Sequence, residues 1–439
     1  MVRQFLESLQ VYLDRRVITI LLLGFSSGLP LALTGTTLSL WLREEGITLT
    51  SIGLFANVAT PYALKFIWSP LVDKMPIPLF SRFLGRRRGW LIFTQICLIL
   101  SILGLGASNP NISIEMTALF AFLVAFSSAS QDIVIDAYRV EISDEKTMAA
   151  GAAAIVFGYR IGMLASGAGA LYLASSVSWQ MTYSIMAGLI FIGILTVLFN
   201  REPEKAGAPE PQENMVGASA LEKAGYWLKE AVYDPLAEFF KRPGWVPILL
   251  FVMLYKFGDS LAGVMSTPFF YDLGFTKIEL ANVSKIYGTA ATFIGLALGG
   301  WLMAATGLYR TLWICGFLQL GSNLMFAGQA MAGNDIVFLA ATVGIENLAG
   351  GMGTAAFVAY LSSLCNISYT ATQYALLSSF MATARIWFSS PGGFLAEQTG
   401  WITFFILTTL AAVPGLVLLW WLTRKSSETR PEEARASAN

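Results

Sequence analysis

The sequence predicts an all-α polytopic membrane protein built from two six-helix bundles, and three observations lead there. Of the 439 residues, 55% are hydrophobic and only 13% charged, whereas a soluble chain carries about 25% charged residues. The apolar residues fall into twelve long runs, and about 20 such residues cross a bilayer as a helix. A polar stretch in the middle divides those runs six and six. A cytosolic globular enzyme is excluded.

In chain order the candidate spans are 17–42, 50–73, 89–108, 116–138, 147–174, 180–199, 245–271, 278–305, 311–332, 336–364, 372–396 and 401–423. The first is too long for a signal h-region and no clear small-residue cleavage site follows it, so it is read as a span. Gly28, Pro30, Pro61, Pro70, Gly158, Gly162 and Pro391 fall inside spans, where membrane helices tolerate them if neighbours satisfy the freed backbone groups. Gly158 and Gly162 form a small-residue pattern for close helix packing, which is common and carries no function by itself. The expected domains are residues 1–200, a first bundle; 201–244, a cytoplasmic linker; 245–425, a second bundle; and 426–439, a cytoplasmic tail. The linker opens on a Pro/Glu-rich run, and Leu221, Ala224, Leu228, Ala231, Leu236 and Phe239 then recur at helical spacing. That pattern suits an amphipathic helix, either lying on the membrane surface or packed beneath the bundle.

Lys and Arg set the orientation. With the N-terminus inside, the inner segments hold Arg15, Arg16, Lys74, Arg82, Arg86, Arg87, Arg88, Arg139, Arg310 and Arg424, among others. The outer loops hold only Arg43 and Lys277. Both termini are therefore expected to be cytoplasmic.

The halves resemble each other weakly: Arg160-Ile161 stands opposite Arg385-Ile386 and Gly167 opposite Gly392. Six plus six spans with an internal repeat is a transporter architecture in which substrate binds near the midplane.

The 28 basic and 28 acidic residues balance, so no nucleic-acid partner is expected. There is no histidine, which removes histidine metal sites, general bases and proton relays. No metal site or bound cofactor is expected. Cys97, Cys315 and Cys365 lie far apart in apolar surroundings and read as small membrane-buried residues.

An ionisable side chain at the centre of a membrane helix costs about 3 kcal/mol on insertion scales, so each needs a reason. The candidates are Lys65, Asp132, Asp136, Arg160, Lys256, Asp259, Lys285, Glu346 and Arg385. Ser128, Asp132 and Asp136 are four apart and share one helix face, with Arg139 a turn further on. Two carboxylates a turn apart in low dielectric cannot both ionise cheaply, so one is expected to carry a proton. The alternative is that both neutralise Lys65 or Arg160 as fixed ion pairs. Asp132 lies further from the cytoplasmic end and is the better single candidate. Lys65, Arg160 and Arg385 suit contacts with an anionic cargo, or ion pairs with Asp132 or Glu346. Lys256 and Asp259 are three apart and suit a mutual pair. Glu346 and Asn347 stand together on span ten. Neither Asp132 nor Asp136 has an acidic counterpart in the second half, so proton chemistry is expected in the first. The basic run Arg86, Arg87 and Arg88, with Asp73, reads either as a positive-inside anchor or as an acid–base latch between helix ends.

Several runs resemble one family. Gly24 to Thr34, Lys65 to Asp73, Gly85 to Trp90, Ser128 to Asp136 and Gly158 to Met163 are similar to segments of the AmpG muropeptide permeases of the major facilitator superfamily. Together they cover most of the first half in order. The second half resembles the family less closely, through Tyr360 and the stretch from Gln373 to Gly393. The resemblance implies an importer of the bacterial inner membrane driven by the proton gradient; its oligomeric state does not carry over, and a monomer in membrane lipid is expected. Its cargo would be anhydromuropeptides recovered from cell-wall turnover, which in some bacteria also signal β-lactamase induction. By the same resemblance, Asp132 and Asp136 fall on acidic positions tied to transport, and Gly28, Ala129 and Gln131 on sensitive positions. Asp73 and Arg86 to Arg88 fit a stretched form of the superfamily's gating loop. Rival readings are an acetyl-CoA or other anionic-metabolite transporter of the superfamily, a drug or sugar exporter, and a non-transporting membrane sensor. No nucleophile–base or metal constellation supports an enzyme.

Overall fold

The computed structural model describes residues 11–144, 147–203, 237–238, 240–241, 244–364 and 370–436. Of the amphipathic helix expected at 221–239, all but 237–238 lies outside the described residues, as does Cys365. Among the described residues there are helices and turns and no strands. Nine helical stretches there are long and apolar enough to cross a membrane. The other three expected spans are helical too: 49–74 in short pieces, Leu308–Ala332, and Thr370–Ser389 continued by Gly392–Thr399. The last helix, Trp401–Ala436, runs without a break through the expected bundle–tail boundary.

Polar side chains start many of these helices, as the sequence allows. Asp14, Thr48, Ser113, Ser178 and Asp335 each accept a backbone N–H in the first turn. Thr276 and Glu279 form a reciprocal capping box at the start of span eight, satisfying two donors that the helix leaves free. Pro30 sits inside Arg15–Thr34 without breaking it; span one is instead interrupted at Gly35, before Thr36–Glu44.

Glycines fix the closest helix contact. A Cβ on Gly24 would fall 2.5 Å from the Ile155 carbonyl, and one on Gly28 would collide with that of Tyr159. Gly158 and Gly162 return the contact against Leu21 and Phe25. Spans one and five thus meet backbone to backbone through two facing small-residue pairs. Gly295, Gly299 and Gly351 do the same between spans eight and ten.

Several spans are irregular. Span two is divided into Leu49–Leu54, Thr60–Leu64 and Ser69–Lys74 by 3₁₀ turns at Phe55–Ala59 and Lys65–Ile67. Span seven breaks between Trp245–Leu254 and Phe257–Asp272. Spans five and eight carry π-helical segments at Ala165–Gly169 and Leu280–Tyr287. Backbone of this kind is tolerated at membrane depth only where protein or a wet cavity serves it.

The chain divides into two compact units, one of residues 1–208 with 267–286 and one of 209–266 with 287–439. The ends of spans seven and eight that meet at Thr276 therefore belong with the first half of the chain. Cys315 is buried and Cys97 half-buried.

Candidate functional site

In the first unit, span four is the helix Ile114–Ile142. It displays the expected face and separates its two carboxylates by environment. The Ser27 hydroxyl donates to Asp132 Oδ1 at 2.5 Å, from span one. Lys65, in the second 3₁₀ turn of span two, and Asp136 both act electrostatically on Asp132. Among the described residues no carboxylate lies within ion-pair distance of Lys65. The fixed Asp132–Lys65 pair is therefore absent. Asp136 is 60% exposed, and Arg139 stands at a long ion-pair distance from it, 4.0 Å. Ser128, Ala129 and Gln131 are fully buried. Gly28 is buried in the crossing of spans one and five, where its lack of a side chain is what matters. Arg160 lies on span five, with Nη1 4.0 Å from the Met163 sulfur.

The second unit holds a separate polar group. Lys256 stands at the break in span seven, outside either half-helix. Its Nζ donates to Thr354 Oγ1 at 2.8 Å and to the Gly350 carbonyl at 3.3 Å, both on span ten. Asp259 accepts from Asn323 Nδ2 at 3.4 Å. The mutual pair suggested by their spacing does not form within 4 Å: the ammonium turns to span ten and the carboxylate to Asn323. Asn347 donates to Glu346 at 2.7 Å and accepts from Thr292 at 2.9 Å. Arg385 is exposed; it and Glu346 act electrostatically on Lys256.

The basic run staples helix ends within the first unit. Arg87 bonds Glu141 on span four at 2.6 and 2.9 Å. Arg88 donates to the Val197 and Leu198 carbonyls of span six. Glu202 accepts from the backbone N–H of both arginines, at 2.8 and 3.0 Å. An acid at a helix N-terminus serves the free N–H groups there. Arg86 is exposed, and the side chain of Asp73 lies outside the described residues. Nearby, the Thr147 hydroxyl and backbone N–H, together with Arg16, hold Asp144 down to about 2.

At the opposite end of this unit the two cations that the sequence places in outer loops both find carboxylates. Arg43 grips Asp272 bidentately, at 2.5 and 2.8 Å. Lys277 pairs with Glu44 at 2.8 Å and lies 4.9 Å over the Trp179 ring. Trp179 Nε1 donates to the same Glu44 at 2.6 Å.

Sequence reasoning missed Ser27, Asn323, Thr354 and these outer pairs. Ser27 lay within reach, beside Gly28 in a quoted run, but its partner is 105 residues away.

The sequence model of the Major Facilitator Superfamily matches residues 20–389. The chain belongs to that superfamily of transporters. Solved structures agree on the fold: a bacterial homolog of the human lysosomal transporter Spinster covers 94% of this chain and 97% of its own, with TM-score 0.68 at 13% identity. The D-xylose–proton symporter gives 0.66 at 13% identity, over 93% of this chain and 97% of its own. Curated relatives are much nearer in sequence. The anhydromuropeptide permease of Escherichia coli K12 is 42% identical over 94% of this chain and 81% of its own length. Putative transporter AmpG 4 of Rickettsia felis is 37% identical over 95% of this chain and 98% of its own. Within the superfamily, the chain belongs to the AmpG family of permeases.

Proposed function

We propose that this permease imports anhydromuropeptides from the periplasm across the bacterial inner membrane, driven by the proton gradient, with both termini in the cytoplasm. The observation that carries the cargo is 42% identity over nearly the whole chain to an anhydromuropeptide permease. The placement of the Lys and Arg residues supports the orientation.

The proton carrier is Asp132. It is the sheltered member of a carboxylate pair in a chain without histidine, and a serine hydroxyl serves it. An unpaired carboxylate in low dielectric loses much of its cost when protonated. Binding a proton there removes the charge that Lys65 opposes, which lets the carrier change state. Asp136, at the wet end of the same face, relays between Asp132 and the inner solution. Lys256, Arg160 and Arg385 serve the acidic groups of the cargo. The carrier works as a monomer, the two six-helix halves rocking about a midplane site.

The test is uptake of labelled anhydro-disaccharide tetrapeptide into proteoliposomes, with and without an inward proton gradient. Accumulation only with the gradient is expected, and Asp132→Asn should abolish it. Full gradient-driven uptake by both Asp132→Asn and Asp136→Asn would overturn the coupling reading. Transport of acetyl-CoA in place of the muropeptide would overturn the cargo.

A further inference from the structure

We infer that Ser27 is the positioning residue of the proton carrier: its hydroxyl holds the Asp132 carboxyl in one orientation through both protonation states. The inference deepens the proposed function and rests on its reading of Asp132.

The geometry is specific. Ser27 is 8% exposed, and its Oγ lies 2.5 Å from Asp132 Oδ1. On the same helix, Gly24 and Gly28 are seated against the backbone of span five. The other groups that act on Asp132 are of a different kind. Lys65 is a cation beyond ion-pair distance, Asp136 is a carboxylate on the same helix, and Tyr62 is a phenol on span two. Neighbouring polar groups turn elsewhere. Successive helical residues point about 100° apart, so Ser26 faces a different side of span one from Ser27. A Cβ on Gly193 would fall 2.6 Å from Ser26 Oγ and 2.5 Å from Gln95 Nε2, which places those two together near span six. Ser26, Gln95 and Gln131 are fully buried, and their side chains have no hydrogen-bond partner among the described residues.

The chemistry fits a hydroxyl. An ionised carboxylate only accepts, whereas a protonated one also donates. An ammonium such as Lys65 only donates, so it can bond an oxygen of either state but cannot accept the new O–H of the protonated acid. Serine both donates and accepts, so the contact survives each proton that comes and goes, and the carboxyl need not find a new rotamer each time.

The experiment compares Ser27→Ala, Ser27→Thr and Asp132→Asn in proteoliposomes. Ser27→Ala should slow gradient-driven accumulation of the anhydro-disaccharide tetrapeptide about tenfold. Exchange of labelled for unlabelled cargo, which moves no net proton, should be unchanged. Ser27→Thr keeps the hydroxyl and should restore accumulation. Infrared spectroscopy gives a second readout: the carboxyl C=O band that vanishes in Asp132→Asn should move to higher wavenumber in Ser27→Ala. If Ser27→Ala does not reach the membrane, Ser27→Cys, with its weak donor, is measured for the same band. Wild-type accumulation and an unshifted band in the serine variants, with Asp132→Asn inactive, would overturn the inference alone. Normal accumulation by Asp132→Asn would instead overturn the reading of Asp132 on which it rests.

Discussion

Lys256 illustrates how a half-buried charge is made tolerable. Its ammonium bonds a threonine hydroxyl and a backbone carbonyl of span ten, two neutral acceptors, while Asp259 and Glu346 act on it from beyond ion-pair distance. A residue held this way remains attractive to a carboxylate. We expect Lys256→Gln to weaken binding of an acidic muropeptide about tenfold and to leave an amidated one unaffected; equal losses in a binding assay would remove the charge-reading role. Gly28 is the opposite case, where an absent side chain matters. Gly28→Ala forces a methyl into the Tyr159 carbonyl and should destabilise the fold by about 1–3 kcal/mol, as overpacking does, read as a lower melting temperature in detergent. The acidic pair was legible from its four-residue spacing, because that period is local. The identity of its partner was not, because Ser27 and Asp132 meet only through tertiary packing. Lys256 and Asp259 were misread together: a three-residue spacing permits contact, but each side chain finds its partner on another helix, span ten for Lys256 and Asn323 for Asp259.

At the scale of elements, the twelve apolar runs were plain in the sequence, and their boundaries mostly fall within a few residues. The interruptions inside them were harder to see. Pro30 is accommodated while Gly35 interrupts the helix, and nothing local announces the π-helical turns. Of the facing glycine pairs of spans one and five, Gly158 and Gly162 were visible as a pattern, whereas the opposing Gly24 and Gly28 emerge only from the packing. The ion pairs that tie span one to the Thr276 turn are another long-range feature. Arg43 and Asp272 are each mostly shielded, so breaking their bidentate contact should be felt. Arg43→Asp or Asp272→Arg alone should alter uptake severalfold, and the double exchange should recover most of it; failure of the exchange to rescue would make the pair incidental.

For the whole molecule, the two-bundle architecture followed from the central polar stretch, and the division into units falls near it, at Ala208 and Pro209. The exception is residues 267–286, which associate with the first half of the chain. Two coexpressed fragments cut in the Pro/Glu-rich run after Ala208 should therefore assemble and transport; loss of uptake with both fragments present in the membrane would show that the covalent link is needed. One consequence of the paired outer cations concerns how cargo arrives. Around that end of the first unit, Arg43 and Lys277 stand against Glu44, Glu45, Glu115, Asp272 and Glu279, two positive charges to five negative. The positive charges are already engaged by carboxylates. An anionic solute approaching from that side meets a weakly repelling field, which dissolved salt screens over about 10 Å at 0.1 M. Capture of acidic cargo should accordingly quicken as ionic strength rises, the reverse of electrostatic steering.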